Sequence, residues 1–376
     1  MNRSFLRILV GGAAAFLLVT IVSLIFIACQ SSISLLTGGV NTFPQATAFV
    51  PKQAPAVVSG LVNPEKLYGI RQVTLPLKNR QSDRQEWQQW TTNLVSRIGL
   101  DYQKDLQPWL GDEITLAITA LDFDRNLDNG MQPGYLLAVE TRNNQLSQKS
   151  LSNFYEGAYK QNDASMEKYK GAKILFPPAT KTKNKPIWAS SVVGNFVLFA
   201  NHPQIIKEAI NQAQAVNLNL QQSDDYQKVI SSIDRPHIGI AYIDVAKTSA
   251  WLNKSVAREK FKDNQILSAF LSISHSNLAV QTALTKVADS VASSQAYKSL
   301  INNSELNQII DSLFVKRNTY IDLTEKTSLL EKQMPLYEVT RLAIKALFPH
   351  LKAIAIENQN NRDNVSRAEI LFKLAA

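Results

Sequence analysis

Residues 187–214 read IWASSVVGNFVLFANHPQIIKEAINQAQ, and this stretch decides the architecture. Two runs rich in β-branched and aromatic residues, Ile187 to Val193 and Phe196 to Ala200, flank Gly194-Asn195. A two-residue connection of that type tolerates positive φ and predicts a hairpin. Pro203 then supplies the φ of a first helical turn, and Ile205, Ile206, Ala209, Ile210 and Ala213 recur on one side of the helix it opens. Strand, strand, helix is the pattern from which the rest is read.

The same alternation runs outward in both directions. Upstream, Trp87, Trp90, Leu94 and Ile98 have helical spacing over Asp83 to Ile98, Glu113 to Leu121 and Tyr135 to Thr141 are extended, a helix covers Gln145 to Tyr159, and Ala172 to Phe176 is a strand. Downstream, Ile238 to Ile243 and Leu278 to Thr285 are extended. Pro335 opens a helix that carries Leu336, Val339, Leu342, Ala343 and Leu347. The chain closes with a hairpin whose last strand sets Ala368, Ile370, Phe372 and Leu374 against Arg367, Glu369 and Lys373. The expectation is an α+β fold of largely antiparallel sheets with helices packed on one face, and the two strand-rich regions are candidates for similar lobes. Residues 43–376 should form one body with a large core, because 45% hydrophobic and 19% charged residues exclude long disorder.

The N-terminus has a different character. Residues 1–7 carry Arg3 and Arg7, and residues 8–28 form an apolar run free of charge; the next charged residue is Lys52. A helix over 8–28 rises about 31 Å, enough to cross a bilayer, and the arginines favour a cytoplasmic N-terminus. Everything beyond then lies outside the cytoplasm, in the periplasm or a thylakoid lumen, as a single-pass protein. Two alternatives share that topology: a cleaved signal peptide, and a lipoprotein in which Cys29, after Phe26-Ile27-Ala28, carries lipid. Residues 29–42 turn to Ser, Thr, Gly and Asn and form a tether. A single cysteine excludes an internal disulfide and a multi-cysteine zinc site.

Four segments together carry a resemblance: Phe49-Val50-Pro51 through Asn63-Pro64-Glu65-Lys66-Leu67, Trp109-Leu110-Gly111-Asp112-Glu113-Ile114, Gln132-Pro133-Gly134-Tyr135-Leu136-Leu137, and Gly194-Asn195-Phe196-Val197-Leu198. In this order the chain resembles domain of unknown function 3352, an uncharacterised membrane-anchored family common in cyanobacteria. The resemblance implies an extracytoplasmic body at the envelope or thylakoid membrane. It implies no reaction, cofactor or catalytic residue.

Charge is unevenly spread. Of a formal net +9, a large share lies between Lys160 and Lys185, where seven lysines face only Asp163 and Glu167. Lys181, Lys183 and Lys185 with Trp188 behind them are candidates for contact with anionic headgroups, against the plainer reading of a solvated loop that guards a sheet edge. Nucleic-acid binding is disfavoured, since the tract lacks arginine and interleaved aromatics.

Asp122, Asp124, Asn126 and Asp128 alternate as hard-cation ligands do, so calcium is a candidate. The glycine and closing glutamate of such a loop are missing, which favours an acidic turn held by side-chain to backbone bonds. Ser165-Met166-Glu167-Lys168 matches a Ser-x-x-Lys pattern without the partner motifs of a hydrolase. His202, His237, His275 and His350 are scattered and expected at the surface or as caps. No catalytic residue and no cofactor is expected. The function expected is that of a non-enzymatic interaction or assembly module for a membrane or envelope protein partner. The alternative is a carrier for lipid, pigment or another apolar ligand.

Overall fold

The computed structural model describes residues 39–65, 80–96, 101–126, 128, 130–158, 165–177, 189–233, 235–244, 247, 265–274, 277–286, 319–321, 351–362 and 365–374. Residues 1–38, the Pro335 helix, Lys181, Lys183, Lys185, Trp188, His275 and His350 lie outside these, so the anchor segment, Cys29 and most of the tether do too. Among the described residues, no helix is long and apolar enough to cross a membrane. The chain divides into two compact units, one made of Phe43–Asn63 and Pro76–Gln227, the other of Met1–Thr42, Pro64–Leu75 and Lys228–Ala376. Both are α+β in outline or antiparallel sheet outright.

The first unit contains β1 (Ala56–Gly60), α1 (Arg80–Ser96), β2 (Leu110–Ala120), β3 (Gly134–Thr141), α2 (Asn144–Ala158), β4 (Ser165–Tyr169), β5 (Ala172–Phe176), β6 (Ala189–Val193), β7 (Phe196–Ala200) and α3 (Pro203–Gln214). Its sheet runs β1-β2-β3-β7-β6-β5-β4, every neighbouring pair antiparallel. The hairpin expected around Gly194 forms as predicted: Val193 pairs with Phe196, and Gly194 takes φ +57°. That is a conformation glycine adopts without steric cost, and it suits the twist of a tight hairpin. The helix behind Pro203 also forms, burying Ile205, Ile206, Ala209 and Ile210, with the His202 Nδ1 accepting the Gln204 N–H at 3.1 Å as its N-cap.

Helices cover this sheet on both faces, not on one as the sequence led us to expect. On one face Leu151 and Phe154 of α2 pack with Trp109, Val139, Val197 and Phe199. On the other, α3 meets β4 through a Lys207–Glu167 ion pair of 2.7 Å and a Tyr169 hydroxyl donating to Asn211 at 3.0 Å. The turn Ala46–Phe49 adds Phe49 edge-on to Phe196, with ring centroids 5.4 Å apart. All five residues of β7 are therefore buried, and its sequence, Phe-Val-Leu-Phe-Ala, has no polar alternation to spare.

Helix α4 (Asp224–Ser231) carries the chain from the first unit to the second. The second unit's sheet uses β8 (Gly239–Asp244), β9 (Gln265–Ser274), β10 (Asn277–Lys286), β11 (Thr319–Ile321), β12 (Leu351–Arg362) and β13 (Val365–Leu374) in the order β11-β12-β13-β10-β9-β8, again antiparallel throughout. The closing hairpin read from the sequence is β12–β13. Its register aligns Ile356, Ile370, Val280 and Leu271 in one row and Ile354, Phe372, Leu278 and Ile273 in the next.

Candidate functional site

A cluster of buried and half-buried polar groups in the first unit grows from the segment Trp109-Leu110-Gly111-Asp112-Glu113. Leu110 is paired with Thr141 and Ile114 with Val139, so β2 carries extra residues between these points and bulges away from β3. A bulge strips backbone groups of their ladder partners, and those groups must be satisfied otherwise. Here Glu140, directly across, turns back: its Oε2 accepts the N–H groups of Asp112 at 2.8 Å and Glu113 at 2.9 Å. The approach requires Gly111, where an added Cβ would lie 2.7 Å from the Glu140 Cβ and 2.8 Å from its carbonyl oxygen. Asn63 closes the other side, donating through Nδ2 to the carbonyls of Leu110 at 3.0 Å and Gly111 at 2.6 Å.

Glu113 repeats the device over a longer span. It is 5% exposed, and its carboxylate accepts the N–H of Gln45 at 2.7 Å, the N–H of Ala46 at 2.9 Å and the Thr115 hydroxyl at 2.8 Å. Gln45 and Ala46 open the turn Ala46–Phe49, whose first amides have no partner within the turn itself, so Glu113 caps it from 67 and 68 residues away. Burial pushes the Glu113 carboxyl above its ordinary value, opposed by these donated hydrogen bonds and helped by the charge of Glu140. Trp109 is held in the same way, its indole N–H donating to the Asp105 carbonyl, which also accepts from the Ser150 hydroxyl at 2.6 Å. In each case a polar side chain holds one stretch of backbone to another. Glu113 has its oxygens occupied and lies apart from solvent, while Glu140 is half-buried with one oxygen bound to two amides; both arrangements suit a brace more than a proton-transfer centre.

The residues singled out in the sequence fall into three groups. The calcium candidates are turned toward backbone: Asp122 accepts from Gln132 N–H at 3.2 Å, Asp124 from Asn126 N–H at 3.1 Å, and Asn126 from Asp128 N–H at 3.1 Å. The Asp124 and Asn126 bonds close local turns two residues long, and the Asp122 bond ties the two ends of the loop across ten residues. Among the described residues, no three His, Cys, Asp or Glu side chains gather as a metal cluster. The Ser-x-x-Lys pair is not on a helix but on β4, and the alternation of a strand sends Ser165 and Lys168 to opposite faces. His202 is the expected cap. His237, expected at a surface or helix end, is instead buried at 2% exposure, with one ring nitrogen 3.1 Å from the Arg235 carbonyl and the other 3.1 Å from that of Thr42. Burial lowers the pKa of both histidines.

A groove of about 530 Å³ opens beside the bulge, lined by Glu140, Thr141, Arg142, Asn143, Asn144, Gln145 and Asn195. Every lining residue is polar, and Asn143 is already engaged as the cap of α2, accepting from the N–H groups of Gln145 at 3.1 Å and Leu146 at 3.0 Å. A groove of this composition suits water more than an apolar ligand. Two surface features stand apart from the braces. Leu116, paired between Val58 and Leu137 on β2, is 40% exposed, and the hairpin of β4 and β5 presents Met166, Lys168, Lys170 and Lys173 to solvent.

Comparison with known proteins gives a family and little else. The sequence model of a family described as a protein of unknown function, DUF3352, matches residues 9–296 and 271–374. No curated protein matches the chain. Among solved structures, crystal form I of TP0453 is 8% identical over 89% of this chain and 94% of its own, with a TM-score of 0.37. Crystal form III is 10% identical over 74% and 89%, with a TM-score of 0.35.

Proposed function

Since the chain belongs to the family DUF3352, whose description assigns no activity, we propose a role from its own residues: a bilayer-anchored, extracytoplasmic interaction module that binds another membrane or envelope protein. The observation that carries this reading is Leu116. This leucine lies in the interior of the sheet, between Val58 and Leu137 on the adjacent strands, and is left 40% open. A side chain of that kind serves as an anchor for a partner's apolar group more readily than as part of a reaction. The braces built on Glu113 and Glu140 support the same reading, because they stiffen the strand that presents Leu116. The apolar run of residues 8–28 supplies the anchor.

The test combines fractionation and capture. Full-length chain should stay in the membrane pellet after alkaline carbonate washing, and capture from detergent extract should bring down one partner in stoichiometric amount. The Leu116→Glu variant should melt within a few degrees of wild type and lose that partner. A solitary product from wild type, or retention of the partner by the variant, contradicts the proposal.

A further inference from the structure

We propose that the hairpin of β4 and β5 is a contact site for an anionic bilayer surface, in which Lys168, Lys170 and Lys173 meet the headgroups and Met166 enters the interface beside them. Lys168, Lys173 and Met166 share one face of this hairpin, and Lys170 stands at its tip. Lys168 and Lys173 are direct partners across the two strands, so their side chains rise from the same face, both exposed. Like charges directly opposite destabilise a hairpin, and among the described residues no carboxylate pairs with them: Glu167, the acidic residue of β4, points to the other face, where Lys207 holds it. Lys170 occupies the first centre of the turn at φ +46°, with Gly171 following at φ +85°. That turn prefers Asn, Asp or Gly at its first centre, so a lysine there is conformationally costly; it sets a third charge at the tip, exposed and with its ammonium 5.8 Å from the centre of the Tyr169 ring. Met166, on the same face as Lys168, is 58% exposed, the most exposed of the large apolar side chains among the described residues.

Charges that strain their own hairpin are accounted for by a partner that neutralises them. A flat anionic surface suits this arrangement better than a nucleic acid. Compact ammonium groups supply point charges without the bidentate fork of arginine, and an unbranched thioether beside them has an acyl boundary to enter. The proposal rests on the anchored reading in one respect: an apolar segment in the same chain holds a bilayer at high effective concentration, so a weak contact suffices.

The test uses the full-length chain mixed with vesicles of phosphatidylcholine alone, or containing about one-third phosphatidylglycerol. Amide exchange over residues 165–176 is followed in each, together with flotation. Exchange should slow on the anionic vesicles only, the slowing should fade at high salt, and Lys170→Asn, which suits the turn, should weaken it about five-fold. Equal exchange on both vesicle types would overturn the proposal. So would equal slowing by a short soluble acidic peptide or an oligonucleotide, which would assign the face to a soluble polyanion. If the chain fails to float with neutral vesicles, the anchored reading fails; flotation and slowed exchange with anionic vesicles alone would still uphold the hairpin contact.

Discussion

The bulge around Gly111 and the hairpin around Lys170 lie in the same sheet and treat charge in opposite ways. At the bulge, Glu113, buried, and Glu140, half-buried, are turned to backbone and bind four amides between them. At the hairpin, three lysines are turned outward, two of them against each other. A buried carboxylate is tolerable only when its lone pairs are met, so the first region is a structural commitment that fixes the geometry of β2. Exposed lysines carry no such commitment. The contrast teaches that within this sheet the carboxylates of the bulge hold backbone, whereas the lysines of the hairpin face solvent.

The largest effect that would break this comparison comes from Glu113. Replacing it with Ala strands the buried amide of Ala46 and the part-buried amide of Gln45, so Glu113→Ala should destabilise the chain by about 2–4 kcal/mol in denaturant melts. A loss below about 0.5 kcal/mol would mean that Glu113 is not a brace.

A smaller effect follows from pH. The folded carboxyl of Glu113 titrates above its ordinary 4.5, so between that raised value and 4.5 the folded chain holds a proton that the unfolded chain does not. Acidification through this window therefore adds stability from this group. His202 and His237 act with the opposite sign: their folded values lie below 6.5, and their contribution is present above 6.5 and lost as pH falls toward the folded values. Comparing wild type with Glu113→Gln isolates the contribution of Glu113. Wild type should gain on the variant as the pH is lowered toward 4.5, and a constant gap in melting temperature contradicts the assignment.

How much of this was legible in the sequence follows from where each signal resides. The hairpin at Gly194, the helix behind Pro203 and the closing hairpin were readable because turn residues and periodicity are local. Strands β1 and β9 were not read: Ala56–Gly60 is short, and Gln265–Ser274 mixes Ser with Ile, Leu and Phe without alternation, since both faces of its middle are buried. Placing helices on one face failed for a related reason, because a strand such as Phe196–Ala200, apolar at every position, is compatible with cover on both sides. The braces could not be read at all. Glu113 binds backbone amides 67 and 68 residues away, and a backbone amide has no sequence signature. Glu113 was read only as the start of a strand, and the segment around Gly111 stood out through family resemblance.

The smallest energetic effect gives the sharpest test. Lys168→Glu turns a like-charged cross-strand pair into an opposite-charged one, worth a few tenths of a kcal/mol to about 1 kcal/mol to the hairpin, and removes a charge that meets lipid. Melting temperature and hairpin exchange on anionic vesicles should be measured on the same preparation of full-length Lys168→Glu. Melting at or slightly above wild type together with weakened vesicle protection is the predicted result. A lower melting temperature with vesicle protection unchanged would contradict it, since Lys168 would then belong to the scaffold and not to the contact surface.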